Sequence, residues 1–260
     1  MSPHQLKVIA EQAARMGGAI LQEWAGRITP KEKSPKNLVT EADFASQKAI
    51  SEFLTRECPG HSFLGEEDGG PAAISSDYRW IVDPLDGTSN YVHRFPFYAV
   101  SVGVEFRGRL VAGAIFDPTR GEMFAASLGG GAMLNGHKIE PSATGPLASA
   151  LVIASLPVKT SPESPEVRRF LKVLTRAQSL QRTGSAALNL CYVAAGRMDA
   201  FWSTSLKPWD MAAGVLILTE AGGRVTAIDG GTFNVDVSDL LASNGNALHD
   251  ELAELLPQER

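Results

Sequence analysis

Cysteine is scarce in this chain: Cys58 and Cys191 are the only two among 260 residues. They stand far apart, with no C-x-x-C pair and no histidine at zinc spacing. That excludes a disulfide framework and a zinc ribbon, and both read as reduced thiols in a core. No apolar run approaches the ~20 residues a membrane-spanning helix needs. The segment from Met1 to Glu23 mixes charges among its apolar residues and lacks a signal-peptide core. Positive charge is also short, 24 Lys and Arg against 29 Asp and Glu, for a net charge of −5. The chain therefore has no basic footprint for nucleic acid. Repeats and low-complexity tracts are absent. What remains, 44% hydrophobic and 20% charged, reads as a cytoplasmic globular protein with one large core or two joined halves. An anionic substrate would need local positive charge, most simply from a bound metal.

The stretch Trp80-Ile81-Val82-Asp83-Pro84-Leu85-Asp86-Gly87-Thr88-Ser89-Asn90 most needs a chemical explanation. Arg79 to Val82 read as a short buried strand running into Asp83. Pro84 removes a backbone donor, so the ladder is expected to stop there. Asp86-Gly87 signals a turn, and Thr88-Ser89 supplies two hydroxyls behind it. Carboxylates this close repel unless something positive lies between them, and a hard divalent cation is the usual answer. Gly87 lets the backbone approach an oxyanion, and the donors of residues 87–89 could cradle a phosphate. An Asx-turn closing a strand explains Asp86-Gly87, but neither Asp83 nor the hydroxyl pair.

Around that stretch, Leu6, Ile9, Ala13, Met16, Ile20 and Trp24 recur at helical steps, predicting a helix over residues ~3–24. Residues 26–37, with Pro30, Pro35, Lys31, Lys33 and Lys36, read as a mobile surface loop that could act as a lid. Thr40 caps a helix that runs to about Cys58, with Glu41 and Asp43 in its first turn. Ser62–Gly65 is a strand leading into Glu66-Glu67-Asp68, three acids that are either a solvated loop or part of a site. Residues 98–106 and 109–116 form a hairpin about Arg107-Gly108, and 122–127 a further strand. Composition turns to Pro, Ser, Thr and Gly around 141–146, the best boundary between halves 1–145 and 146–260. Beyond it come strands at 151–155, 179–182, 198–203, 225–228 and 240–242. Helices fill 165–177, 186–195, 211–221 and 250–256. Thr183-Gly184-Ser185-Ala186 could bind an anion or simply cap a helix, and Asp210 reads as an N-cap. Alternating strands and helices with hairpins imply a layered α/β architecture with mixed sheets.

Three segments together carry a family resemblance. Gly65-Glu66-Glu67, then Trp80 to His93, then Trp209-Asp210-Met211-Ala212-Ala213-Gly214 with Glu220-Ala221-Gly222-Gly223, resemble the inositol monophosphatase family in order and spacing. The resemblance implies an α/β/α/β/α sandwich, usually a homodimer, acting as a Mg2+-dependent, lithium-sensitive phosphomonoesterase on a small ester. It implies one Mg2+ on Glu66, Asp83 and the Leu85 carbonyl, a second on Asp83, Asp86 and Asp210, and an optional third on Glu66. Gly87, Thr88 and Ser89 match the phosphate-cradling turn, and Gly184, Ser185 and Ala186 a segment lining the alcohol's pocket; Asp86 and Asp210 also border the substrate. Glu66 and Thr88 would orient an attacking water, with no covalent intermediate.

Two departures qualify it. Asn37 stands where many members have an Asp thought to pair with the threonine; it can hydrogen-bond to Thr88 but cannot accept a proton. Ser203 stands where inositol-selective members carry a Glu that meets substrate hydroxyls. His93 reads as packing or as a contact behind the ligands, and Lys36 as a solvated loop lysine or one able to approach phosphate or a metal-bound water. Inositol 1-phosphate is the default substrate, with 3′-phosphoadenosine nucleotides, histidinol phosphate and fructose 1,6-bisphosphate as alternatives. A regulatory relative that binds RNA or the transcription machinery is the alternative of another class.

Overall fold

Ser2 accepts from the Gln5 amide while the Gln5 side chain accepts from Ser2, and Pro3 follows where no N–H is needed. That box starts α1, Pro3–Trp24, whose buried stripe is Leu6, Ala10, Ala13, Ala14 and Leu21. The computed structural model describes residues 1–34, 37–67, 70 and 75–257, with the side chains at 34 and 37 outside that description. The loop expected over 26–37 is corrected. Lys31–Ser34 (β1) pairs antiparallel with Asn37–Val39 (β2), Lys31 opposite Val39. This ribbon lies outside both large sheets, so no hydrophobic alternation marks it. The helix capped by Thr40 is α2, Glu41–Glu57.

The first large sheet is built from β3 (Ser62–Gly65), β4 (Tyr78–Asp86), β5 (Ala99–Phe106), β6 (Arg109–Asp117), β7 (Glu122–Ser127), β8 (Ala132–Leu134) and β9 (His137–Lys138), in that order. Only β3 and β4 run parallel; a short helix, α3 (Thr88–Val92), separates β4 from β5. The second sheet uses β10 (Leu151–Ser155), β11 (Ser179–Gln181), β12 (Ala200–Ser203), β13 (Arg224–Thr226) and β14 (Leu240–Ser243), ordered β11-β10-β12-β14-β13 with β10 parallel to both neighbours. Its helices are α4 (Pro165–Leu174), α5 (Ala186–Ala194), α6 (Pro208–Ala221) and α7 (Ala247–Leu255).

Strand alternation sorts these elements into five layers. Val100, Val102 and Val104 of β5 face α1 and α2, while Ala99 faces the opposite way toward α5 and α6. Ile153 and Phe201 of the second sheet close that middle layer from the other side. Their neighbours Val152, Ala154, Ala200 and Trp202 face α7 and Val173 of α4. The result is the expected α/β/α/β/α sandwich with mixed sheets.

Two features of this packing aim residues at one place. Gly103 and Gly113 are paired across β5 and β6, and a Cβ on either would lie about 3 Å from Ala212 or Ala213 of α6. Bare glycine backbone therefore lets α6 lie directly on the first sheet, with Asp210 in its first turn. The other feature corrects an expectation: β4 does not stop at Pro84. Asp83 pairs with Ser101 and Asp86 with Ala99, with a register shift between them. The missing donor of Pro84 is absorbed as a bulge, which re-aims the two carboxylates. Cys58 and Cys191 are both buried and free. Among the described residues no helix is long and apolar enough to cross a membrane.

His249, fully buried under the second sheet, ties α7 to β13 and β14. The Thr226 hydroxyl donates to the Ala227 carbonyl at 2.7 Å, so at 3.0 Å from Nε2 it must accept from the ring. Nδ1 then accepts from the Ser243 hydroxyl at 2.8 Å. Burial, with Arg224 nearby, pushes the imidazole down from the ordinary 6.5 to about 4. A folded value below the unfolded one means the contribution is present above pH ~6.5 and is lost as pH falls toward 4. The expected size is on the order of 3 kcal/mol. Thermal midpoints of the parent and His249→Asn, compared from pH 7.5 to 4.5, should converge as the pH falls; a constant gap would refute this.

Candidate active site

Three carboxylates from distant parts of the chain meet here. One oxygen each from Asp83, Asp86 and Asp210 lies within 4.8 Å of the others. Asp83 and Asp86 come from the bulged end of β4 and are buried; Asp210 comes from α6 and is half-buried. Asp210 was expected to cap that helix, but the helix starts earlier. Pro208 takes its first position, and Asp210 in the first turn accepts from the Lys207 N–H at 2.7 Å. Proline at the first position makes that earlier start favourable.

Each acid is held in place by donors close to it. Asp83 accepts from the Leu85 N–H at 2.9 Å. Asp86 is held by the start of α5: the Ser185 hydroxyl donates to it, as do the N–H groups of Ala187 at 2.8 Å and Ala186 at 3.3 Å. Ser185 and Ala186, which the resemblance sets in a segment lining the alcohol's pocket, are both buried with donors on Asp86. An exposed helix start recruits a solution anion, whereas this one is already filled by a side chain of the other half.

Burial raises every member of the cluster. Desolvation, then Glu66, Asp86 and Asp210, push Asp83 well above the usual carboxylate range. Desolvation and then Asp86 do the same to Asp210. Asp86 reaches only about 6 because Ser185 and the α5 amides oppose the same desolvation. Glu66 lies outside the close trio but beside Asp83, and burial raises it too, opposed by Lys33.

Lys33, from the β1–β2 ribbon, reaches into this acid field. Its Nζ lies 3.3 Å from Glu66 and 2.5 Å from Glu67. Glu67 is buried, and Gln47 of α2 grips its backbone through both amide atoms, at 2.5 and 2.9 Å. Glu66 and Glu67 thus share Lys33 beside the carboxylates, while Asp68 and Lys36 lie outside the described residues. The acids are hard oxygen donors that raise one another's pKa, and only Lys207 opposes this at Asp210 among the described residues. That is the chemistry a small divalent cation fits.

Thr88 has a partner that sequence reasoning missed. Its hydroxyl sits 3.3 Å from Asp43 Oδ1 and 3.2 Å from the Leu85 carbonyl, and can donate to either. Asp43 is buried in the first turn of α2 and accepts from the Thr40 N–H at 2.8 Å and hydroxyl at 2.6 Å. Desolvation raises it to about 6 against those donors. Its place in the first turn after the Thr40 cap was legible, but its contact across to Thr88 was not. The Asn37 side chain, proposed for this contact, lies outside the described residues. Gly87 precedes α3 in a left-handed conformation (φ 95°), with Ser89 exposed in its first turn. Gly184 is exposed beside them. Ser203, expected at substrate hydroxyls, is fully buried, its Oγ 3.4 Å from the Ser205 amide. His93, expected to pack, is exposed.

With this geometry in hand, similarity to known proteins can be stated. The model of the inositol monophosphatase family matches residues 2–260. The chain is similar to the chloroplastic phosphatase IMPL1 of Arabidopsis thaliana, 41% identical over 98% of this chain and 70% of that protein. It is similar to the Nus factor SuhB of Salmonella typhimurium, 35% identical over 97% of this chain and 96% of that one. The structure of inositol monophosphatase from Anabaena (Nostoc) sp. PCC 7120 superposes with a TM-score of 0.87, at 35% identity, covering 98% and 96% of the two chains.

Acid crowding predicts a metal response. Mg2+ binding only the folded chain should raise the melting temperature over a chelated sample, by roughly 5–10 °C at a hundredfold excess over its dissociation constant. Protons compete for the same oxygens, and Asp86 titrates near 6. The Mg2+-dependent rise should thus be larger at pH 7.5 than at pH 5. Equal melting with chelator and Mg2+ at both pH values would sink the shared site.

Proposed function

The chain belongs to the inositol monophosphatase family, and on that premise we propose that it hydrolyses a small phosphate monoester with Mg2+ as cofactor. The observation that carries this reading is the convergence of Asp83, Asp86 and Asp210 to within 4.8 Å, from strand and helix ends far apart in sequence. Glu66, Asp83 and the Leu85 carbonyl would hold one ion, and Asp83, Asp86 and Asp210 another, with room for a third at Glu66. Bound there, divalent metal supplies Lewis acidity toward phosphoryl oxygens and lowers the pKa of water.

The chain's own residues do the rest. Gly87, Thr88 and Ser89 open α3 and offer backbone donors to the ester's phosphate. The Thr88 hydroxyl, between Asp43 and the Leu85 carbonyl, can accept a proton at Oγ1 as it passes its own to Asp43. Asp43, raised to about 6, is ionised at neutral pH yet basic enough to receive it. Buried walls around Asp83 keep bulk water from screening these charges.

Inositol 1-phosphate is the substrate we favour. The neutral, buried Ser203 leaves no carboxylate at that position to read polyol hydroxyls, so other sugar or nucleotide phosphates compete for the assignment. We read residues 1–145 and 146–260 as two halves acting as one unit, a reading supported by one large sheet in each and a shared middle layer. Assembly as a homodimer in the cytoplasm accompanies it. A second reading, association with the transcription apparatus, draws support from relatives named Nus factor SuhB; the net charge of −5 favours a protein rather than an RNA contact.

Phosphate release from inositol 1-phosphate, 3′-phosphoadenosine nucleotides, histidinol phosphate and fructose 1,6-bisphosphate, with and without Mg2+ and Li+, tests the activity. Turnover should require Mg2+ and fall with Li+. Asp83→Asn should abolish it. Thr88→Ala and Asp43→Asn should each lower kcat by ~10²–10⁴-fold with little change in KM. Metal-independent turnover, or full activity in Asp43→Asn, would contradict the assignment.

A further inference from the structure

Two left-handed turns from opposite halves of the chain are docked against each other beside the carboxylates. Gly87 (φ 95°) belongs to the turn after Asp86, and Gly184 (φ 91°) to the turn before α5. They lie so close that a Cβ on Gly87 would sit 3.3 Å from the Gly184 carbonyl and 3.1 Å from that of Phe97. Only residues without a side chain, tolerant of positive φ, allow this approach.

Asn90 bridges the pair. Its Nδ2 donates to the Phe97 carbonyl at 2.7 Å and to the Thr183 carbonyl at 2.8 Å, using both amide hydrogens. Behind it, the Thr183 hydroxyl donates to Oδ1 of the fully buried Asn189 at 2.5 Å. Segment 183–185 is thus held from both sides. It ends at Ser185, whose hydroxyl, with the amides of Ala186 and Ala187, fixes Asp86. A connected path runs from Asn90 through Thr183, Gly184 and Ser185 to the Asp86 carboxylate. Asn90 itself lies in α3, the helix that begins with Thr88.

We propose that Asn90 is a positioning residue: it clamps the 183–185 segment of the second half onto α3, and so sets where Asp86 stands relative to Asp83, Asp210 and Thr88. It touches neither metal nor ester. Its loss leaves the phosphate turn intact, because Gly87, Thr88 and Ser89 belong to the same helix start. What loosens is the segment that holds Asp86. Ground-state binding of phosphate is kept, while cation binding and the reacting geometry are not.

The test measures Mg2+ affinity by calorimetry and turnover on the ester panel, for the parent, Asn90→Ala, Gly184→Ala and the double variant. Only the turnover readout rests on the phosphatase reading. Asn90→Ala should weaken Mg2+ binding about tenfold and lower kcat ~10²-fold, with KM within about threefold of the parent. Gly184→Ala drives a Cβ to 2.9 Å from the Asn90 amide nitrogen, so it should also lower kcat. Removing the Asn90 side chain relieves that contact but not the strain of a Cβ at φ 91°, so part of the Gly184→Ala loss should persist while the whole shrinks about threefold in the Asn90→Ala background. Should the alanine variant not fold, Asn90→Asp, equal in shape but without donors, is read the same way. Parent-like Mg2+ affinity and kcat in a folded Asn90 variant, or strictly additive losses in the double variant, would overturn the proposal. A parent that cleaves no ester while Asn90→Ala still weakens Mg2+ binding would overturn the phosphatase reading and leave the clamp standing.

Discussion

Carboxylates held together out of water are the constraint on which this structure turns. Asp83, Asp86 and Asp210 each lose solvation and each feel one another or Glu66, so the charged state that function needs is the state the isolated chain resists. Free side chains would rotate apart. They cannot here, because their backbones are parts of a central strand and of a helix pressed onto that strand's sheet. The rigidity of the two-sheet frame outweighs local repulsion, and the remaining strain is what a divalent cation relieves.

The fold meets that constraint with ordinary devices used across element boundaries. A proline bulge ends β4 with Asp83 and Asp86 turned toward one place rather than to opposite faces of a pleat. The glycine pair Gly103 and Gly113 admits α6 close enough for Asp210 to join them. The start of α5 receives Asp86 where an exposed helix start would receive a solution anion. On the far flank Lys33 supplies positive charge to Glu66 and Glu67 from a ribbon belonging to neither large sheet. The bulge acts within β4, while the glycine pair, the α5 start and Lys33 each act on a residue of another element. The site therefore exists only when both halves are packed.

How far all this was legible varies by residue. Long periodic elements such as α1 and the β5–β6 hairpin were readable because side-chain period reports burial directly. The β1–β2 ribbon was not, since residues 31–33 are charged and exposed and print no apolar period. The start of α6 was misplaced because Asp210 is a good cap in isolation, while Pro208 begins the helix three residues before the expected Met211. Asp43 shows the same limit in the site: its place in the first turn after the Thr40 cap was readable, and nothing local announced Thr88. Ser185 and Ala186 were legible as a helix start, but the anion they hold comes from a segment about a hundred residues away.

The amino-acid order alone determined the types of the long elements, the net negative charge, and the oxygen-donor chemistry of the Asp83–Asp86 stretch. Those follow from composition and from neighbours within a few residues, where steric and hydrogen-bonding rules act directly. Tertiary structure decided which acids meet, which threonine finds which carboxylate, and which helix start is filled. Such pairings depend on through-space distances between elements remote in sequence. They are set by how glycine, proline and apolar faces pack, and no local rule contains that information.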